Sequence, residues 1–211
     1  HVSGTVGGST HGVAPEVQLH AVRVLDCFGN AEWSDVIAGV DWVTANHVKP
    51  AVANMSLGGT KSAAVNQAVA NSIKAGVTYA IAAGNSNGDA CELSPASTAA
   101  AITVGASTRG DARAVFSNFG KCVDIFAPGE GITSTWTDAN DATKVLSGNL
   151  IATSLREISC KIISSFPNIR RQRDRFFKIS KRIIRLAVLY WKPGQTRVSL
   201  GFRFVFGDKA K

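Results

Sequence analysis

Short apolar segments rich in β-branched residues alternate with longer amphipathic segments between residues 17 and 126 of the chain. Each apolar segment has the length and composition of a strand. The predicted strands are Val17–Leu25, Ala51–Met55, Val77–Ala82, Ala101–Gly105 and Cys122–Phe126. Strands that alternate with helices of about 10–15 residues pair in parallel and carry helices on both faces. The chain is therefore predicted to fold as an α/β protein around a mostly parallel sheet.

Two amphipathic segments between these strands carry the signals of helix ends. Ser34 is predicted to cap a helix that runs to about Asn46, and Ser62 is predicted to cap one that runs to about Ala75. Gly76 lies where a left-handed C-terminal cap is expected. Both segments are long enough to cross from one predicted parallel strand to the next.

Functional residues in sheets of this kind lie just beyond the carboxyl ends of the strands. Two glycine-containing loops occupy such positions, at residues 56–58 and 83–85. The histidines at positions 11, 20 and 47 show no spacing typical of metal ligands. The two loops are therefore the predicted site.

Charge is distributed unevenly along the chain. Residues 1–155 hold 8 Lys+Arg and 12 Asp+Glu, a net charge of −4, whereas residues 156–211 hold 15 Lys+Arg and 3 Asp+Glu, a net charge of +12. Such a shift indicates a boundary between two units. No apolar run is long enough to span a bilayer, and no nucleic-acid-binding motif is present.

Several motifs in the first part occur in the order in which one protease family carries them. They are His1-Val2-Ser3-Gly4-Thr5-Val6-Gly7-Gly8, Asn54-Met55-Ser56-Leu57-Gly58-Gly59, Ala82-Ala83-Gly84-Asn85, Ser94-Pro95-Ala96, Phe116-Ser117-Asn118-Phe119-Gly120 and Asp124-Ile125-Phe126-Ala127-Pro128-Gly129. On these motifs, residues 1–153 resemble the subtilisin-like serine proteases (subtilases, peptidase family S8) of the proteinase K and aqualysin type. The resemblance implies an incomplete three-layer α/β fold in residues 1–153, followed by a basic tail, residues 154–211, that does not resemble the family.

The resemblance implies an endopeptidase that acts outside the cell on peptides or proteins and that has an inhibitory prodomain as a second partner, although no signal peptide is visible here. The family uses an Asp, a His and a Ser in that chain order. By the resemblance, the first two would lie before residue 1, because His1 matches the second histidine of the family's His-Gly-Thr-His motif. Leu150 stands at the nucleophile position, and Ser147 and Ser154 flank it without an identifiable base. The expected function is therefore that of a truncated, inactive protease fragment, and the alternative is a pseudoprotease that holds a peptide or prodomain without cutting it.

The resemblance also implies that the family's substrate groove is partly retained. Asn85 matches the side chain that donates a hydrogen bond to the oxyanion, although a Gly-Asn pair is also common in turns. The matched peptide-binding residues are Ser56, Leu57 and Gly58, and those of the first specificity pocket are Ala82, Ala83 and Gly84. An extended peptide would bind the first group as an added strand. The small residues of the second group predict a pocket for a bulky apolar side chain.

Two stabilising features follow from the same resemblance, and no catalytic cofactor does. Cys91 and Cys122 match a disulfide pair, whereas Cys27 matches one half of another pair whose partner would lie before residue 1. Disulfides indicate an oxidising compartment. A structural calcium ion is also implied, in keeping with the preference of that ion for oxygen ligands. The matched ligands are the backbone carbonyls of Ala99 and Ala101 and the carboxylate of Asp124.

The basic tail carries only local patterns. Residues 175–186 place basic and apolar residues at helical spacing, a pattern that can bind membranes or polyanions, and residues 201–206 alternate like a strand. In the family, the segment before the His motif supplies further strands, and charged residues between 156 and 173 stand where its apolar helix continues. The two losses together predict a sheet with exposed edges and an uncovered apolar face. The tail is interpreted as foreign or out-of-frame sequence, and a remnant that cannot fold is the third hypothesis.

Overall fold

The computed structural model describes residues 1–149 and the backbone of residues 203–206. Six parallel strands form one sheet. In spatial order they are β1 (Gln18–Ala21), β10 (Arg203–Phe206), β2 (Ala51–Met55), β4 (Val77–Ala82), β6 (Ile102–Ser107) and β7 (Ile125–Pro128). Two antiparallel pairs flank it, namely β3 (Gly59–Thr60) with β5 (Leu93–Ser94) and β8 (Ile132–Thr135) with β9 (Thr143–Leu146). The predicted α/β class with a mostly parallel sheet is confirmed.

Helices cover both faces of the sheet and so make three layers. Helices α2 (Trp33–Asn46) and α3 (Ala63–Ala75) pack their valines on one face, and the short helix α1 (Val2–Gly7) packs Val6 on the other. All five residues of β2 are buried, as expected for a parallel strand covered on both sides. None of the described helices is both long and apolar enough to cross a bilayer.

One helix begins as predicted and the other does not. The Ser62 hydroxyl oxygen accepts a backbone N–H in the first turn of α3, and Gly76 ends that helix with a left-handed φ of +109°. Helix α2 begins one residue before the predicted cap, with Glu32 at the N-cap position and no side-chain cap. Ser34 therefore lies inside the first turn, because the preceding Trp33 packs against the apolar core as part of the helix.

A buried tyrosine links the sheet to the helix layer. The Tyr79 hydroxyl on β4 donates to the Ser72 Oγ on α3 at 3.0 Å. Burial raises the pKa of Tyr79 to about 12, although the hydrogen bond to Ser72 opposes the shift. The hydroxyl therefore stays neutral, and stays a donor, throughout the physiological pH range.

Only one of the predictions for the basic tail, residues 154–211, falls on described residues. The alternating pattern predicted at residues 201–206 is confirmed over Arg203–Phe206, which form strand β10, whereas residues 201 and 202 lie outside the described residues. The helical pattern at residues 175–186 lies outside the described residues, as do Leu150, Ser154 and Cys160.

A disulfide ties the loop after β4 to the segment before β7. Cys91 and Cys122 are bonded, as predicted, with their Cα atoms 5.3 Å apart and a sequence separation of 31. Closing a loop of that length contributes roughly 3.5–4 kcal/mol to stability in the chain-entropy account. Cys27 is an exposed free thiol, and the Arg23 guanidinium lies 3.7 Å from its sulfur.

Alkylation of the native, unreduced chain with iodoacetamide is expected to modify Cys27 and to spare Cys91 and Cys122. The reason is that the first is an exposed thiol and the other two are already bonded. Mass spectrometric peptide mapping without reduction checks this, and Cys27→Ser is the matched control. A bridge between Cys27 and Cys91 would contradict the pairing.

Candidate functional site

The carboxyl ends of β2 and β4 lie side by side. The two strands pair in parallel, with Met55 level with Ile81. The loops that follow them, residues 56–58 and 83–85, therefore leave the sheet next to each other at one edge. The structure thus brings together the two segments that sequence patterns predicted to form the site.

Backbone, rather than side chains, is what the loop after β2 presents at that edge. Leu57 packs its side chain against the apolar core under α2 and α3, and the Asn54 Nδ2 donates to the Ser56 Oγ at 3.0 Å. Gly58 is exposed and leads into β3, which pairs with β5. An exposed extended backbone of this kind can receive a peptide as an additional strand.

Small residues form the loop after β4, which faces the loop after β2. Ala83 is fully buried among other alanines, with its N–H bonded to the Val104 carbonyl and its own carbonyl bonded to Asn118, and Ala82 is half-buried. Gly84 has a left-handed φ of +103°, and a Cβ there would lie 2.4 Å from the Asn118 Nδ2. Glycine is therefore required at this position. The loop after β4 therefore contributes only short side chains to this part of the site.

One buried amide side chain holds the loop that carries Asn85. The Asn118 Oδ1 accepts the backbone N–H groups of Ser86 at 3.0 Å and Gly88 at 2.9 Å, and it also accepts the Ser86 hydroxyl at 3.1 Å. Its Nδ2 donates to the Ala83 carbonyl at 2.9 Å. Asn118 is itself fully buried, so its bond to the Ala83 carbonyl is shielded from water, and its bonds to Ser86 and Gly88 are partly shielded. Asn118 therefore fixes the path of residues 83–88.

Asn85 itself has an oriented side chain. Its Oδ1 accepts the backbone N–H of Asn149 at 3.1 Å, whereas its Nδ2 makes no hydrogen bond to any described residue. Asn85 is exposed, and the nearby Gly148 has no side chain to cover the Nδ2. An amide with a fixed oxygen and an exposed N–H group is a pre-organised donor for a carbonyl or anionic oxygen.

Asn149 ties a distant segment of the chain to this loop. It is 4 % exposed, and its Nδ2 donates to the Gly84 carbonyl. Its Oδ1 accepts the Ser117 hydroxyl at 3.4 Å. Asn118 and Asn149 both act through contacts thirty or more positions away in the chain, and no local sequence pattern marked either of them for this role.

The serine and histidine side chains described near this edge do not form a catalytic pair. The Ser147 Oγ accepts the Gly131 N–H at 3.0 Å, and no imidazole in the described part of the chain bonds to it. The His1 Nε2 lies 3.0 Å from the Ile132 carbonyl and 3.1 Å from the Lys144 carbonyl, which fastens α1 to β8 and β9. Within the described ranges, no three His, Cys, Asp or Glu side chains cluster as metal ligands.

Asp124 stands beside the turn that was predicted to bind calcium. Its Oδ2 accepts the Thr103 N–H at 2.8 Å, and its own N–H donates to the Thr103 carbonyl at 2.9 Å. Thr103 follows Ala101 by two residues, so the carboxylate lies close to the turn that contains Ala99 and Ala101. One carboxylate together with backbone carbonyls is an all-oxygen set, which fits Ca²⁺.

The chain matches known proteins over its first part. The family model described as the subtilase family matches residues 1–155. An extracellular serine proteinase of Thermus sp. (strain Rt41A) is 61% identical over 153 residues, which are 72% of this chain and 37% of that protein. The alkaline serine exoprotease A of Vibrio alginolyticus is 55% identical over 153 residues, which are 72% of this chain and 28% of that protein.

A solved structure is also similar to the chain. A crystal structure of a cold-adapted subtilisin-like serine proteinase superimposes with a TM-score of 0.72 at 48% identity, covering 78% of this chain and 60% of that one. The chain spans well under half of the length of the Thermus and Vibrio proteins.

Proposed function

Because the chain belongs to the subtilase family of serine proteases, we propose that it is the substrate-binding part of an endopeptidase that acts on extended peptides. The observation that carries the proposal is the adjacency of two features at the ends of β2 and β4. One is the exposed backbone at Gly58, and the other is the oriented amide of Asn85. A peptide lying along Gly58 as an added strand would direct a carbonyl oxygen toward the Asn85 Nδ2.

We further propose that the 211 residues alone bind such a peptide without cleaving it. Nucleophilic attack needs a serine with a base within hydrogen-bonding reach. Leu150, at the matched nucleophile position, has no hydroxyl, and Ser147 is engaged by a backbone N–H. The loops at residues 56–58 and 83–85 leave the sheet side by side, which supports binding without cleavage.

Replacing Gly58 by proline is expected to weaken peptide binding roughly fivefold or more. Proline removes the backbone N–H that an added strand would use, and one lost hydrogen bond costs about 1 kcal/mol. Gly58→Ala is the matched control, because a Cβ there would lie 3.5 Å from the Ser94 carbonyl oxygen, an ordinary contact. Fluorescence anisotropy with a labelled, extended tetrapeptide that ends in phenylalanine measures both affinities. Equal binding by Gly58→Pro and Gly58→Ala would refute this groove.

The alternative role, a pseudoprotease that holds an inhibitory prodomain, uses the same groove and differs in affinity. A remnant of a substrate site should bind a short peptide weakly, with a Kd of about 0.1–1 mM. A surface selected to hold a folded partner buries far more area and should bind that partner at about 1 μM or more tightly. Titration with the prodomain of a related protease separates the two.

Two further properties accompany the proposed function. A structural Ca²⁺ bound by Asp124 and the carbonyls of Ala99 and Ala101 would stabilise the turn before β6 and would take no part in the chemistry. We also place the protein outside the cell, since the Thermus relative is named an extracellular proteinase and the Cys91–Cys122 disulfide suits an oxidising compartment.

A further inference from the structure

Asn87 and Gly88 form the only Asn-Gly pair in the 211-residue sequence. Asparagine followed by glycine is prone to lose its side-chain amide, because glycine has no side chain to hinder attack by its own backbone nitrogen on the preceding residue. Asn87 is exposed, so water can reach its side chain. The pair begins two residues after Asn85, in the same loop.

The fold does not require glycine at position 88. Gly88 lies outside the left-handed region that Gly84 occupies. A Cβ on Gly88 would lie 3.8 Å from the Ser86 Oγ and 3.9 Å from the Asn118 Oδ1, which are ordinary contacts. The residue that makes the pair reactive is therefore not one that the loop needs for its shape.

Two hydrogen bonds engage the two groups that deamidation would have to bring together. The Gly88 N–H donates to the Asn118 Oδ1 at 2.9 Å. The Asn87 Oδ1 accepts the Arg113 Nη1 at 2.9 Å. The backbone nitrogen of Gly88 and the side-chain amide of Asn87 are thus each held by a different partner.

Both partners are themselves fixed. Asn118 is fully buried and also donates to the Ala83 carbonyl. Arg113 also donates to the Ser117 carbonyl, and its guanidinium carbon lies 5.0 Å from the centre of the Phe119 ring. Attack of the Gly88 nitrogen on the Asn87 side chain therefore requires the loop to open, with both hydrogen bonds broken.

We propose that Asn87–Gly88 is a deamidation site that Asn118 and Arg113 hold closed in the folded chain and that reacts when the loop opens. In the open loop the Gly88 nitrogen gives its proton to a solvent base and forms a bond to the Asn87 Cγ. The Cγ–Nδ2 bond breaks, and Nδ2 takes a proton from solvent and leaves as ammonia. Water then opens the succinimide ring at one of its two carbonyls, which gives aspartate or isoaspartate at position 87.

Peptide mapping by mass spectrometry measures the rate at which the Asn87 amide becomes a carboxylate in the full chain at mildly alkaline pH. The folded chain is expected to react at least about tenfold more slowly than the same chain in guanidinium chloride, because the reaction awaits local opening. In guanidinium chloride, Gly88→Ala is expected to slow the reaction at least about fivefold, because a Cβ hinders the attack. Equal rates in the folded and unfolded chain, or no reaction in the unfolded chain, would overturn the proposal.

Three variants separate the two hydrogen bonds from overall stability. Under folding conditions, Asn118→Ala is expected to raise the rate at least about fivefold, and Arg113→Met, which keeps an unbranched stem but no donor, roughly threefold. Val69→Ala weakens the apolar core on α3, outside this loop, and is expected to change the rate less than about twofold. If Val69→Ala accelerates the reaction as much as Asn118→Ala, or if neither loop variant reacts faster than the original chain, the two hydrogen bonds do not control this site and the proposal is wrong.

Discussion

The 211-residue chain is expected to hydrolyse no peptide bond and to remain unlabelled by a fluorophosphonate probe. Such probes react with a serine that a neighbouring base has activated. The Ser147 hydroxyl accepts a backbone N–H, and the His1 Nε2 faces two backbone carbonyls instead of a serine. Probe labelling, together with a chromogenic peptide that has a bulky apolar residue before the cleaved bond, measures both forms of activity.

A single substitution sharpens this test. Leu150→Ser returns a hydroxyl to the matched nucleophile position but supplies no base, so this variant is also expected to stay unlabelled. A serine protease with an intact triad serves as the positive control. Stoichiometric labelling of the original chain, removed by Ser147→Ala, would mean that Ser147 is activated by a base in the folded protein.

Replacing Asn118 by alanine is expected to destabilise the chain by about 3–4 kcal/mol. The substitution removes the acceptor of two backbone N–H groups, at Ser86 and Gly88, and the donor to the Ala83 carbonyl. Each buried group left without a partner costs about 1–3 kcal/mol, and Asn118 is fully buried. Urea unfolding followed by circular dichroism measures the change in the free energy of unfolding.

Ser86→Ala is the matched control for this loop. It deletes only the hydroxyl that shares the Asn118 Oδ1 and leaves all three backbone bonds in place, so its expected cost is below about 1 kcal/mol. If Asn118→Ala cost no more than Ser86→Ala, the amide would not be what holds residues 83–88. The same comparison, made by hydrogen exchange at Gly88, localises the effect to the loop that carries Asn85.

Apolar patterning predicted most of the sheet, and the differences have local causes. The last predicted strand, Cys122–Phe126, enters the sheet only at Ile125. Cys122 is tied to its disulfide partner, and Asp124 uses its side chain and its backbone to bind Thr103. Helix α1 was not predicted, because a six-residue segment with two glycines has little intrinsic helix preference. It is held in place by the burial of Val6 on the sheet.

Sequence patterns located the candidate site better than they located its supports. The loop containing Asn85 could be identified because it follows a predicted strand, but the groups that orient it come from residues 118 and 149. Contacts across such separations leave no periodic trace in a single sequence. The sheet was expected to have exposed edges, but the facing edges of β1 and β2 are not exposed in the structure, because β10 pairs with both.

The position of β10 has a consequence for the order of events during protein synthesis. Residues 18–21 and 51–55 leave the ribosome well before residues 203–206, yet all three segments must meet side by side in the sheet. At an elongation rate of about 5–20 residues per second, the nascent chain would wait on the order of ten seconds or more between making β2 and making β10. During that time the facing edges of β1 and β2 would be open to chaperones, or to strands of other nascent chains, in the place that β10 later takes.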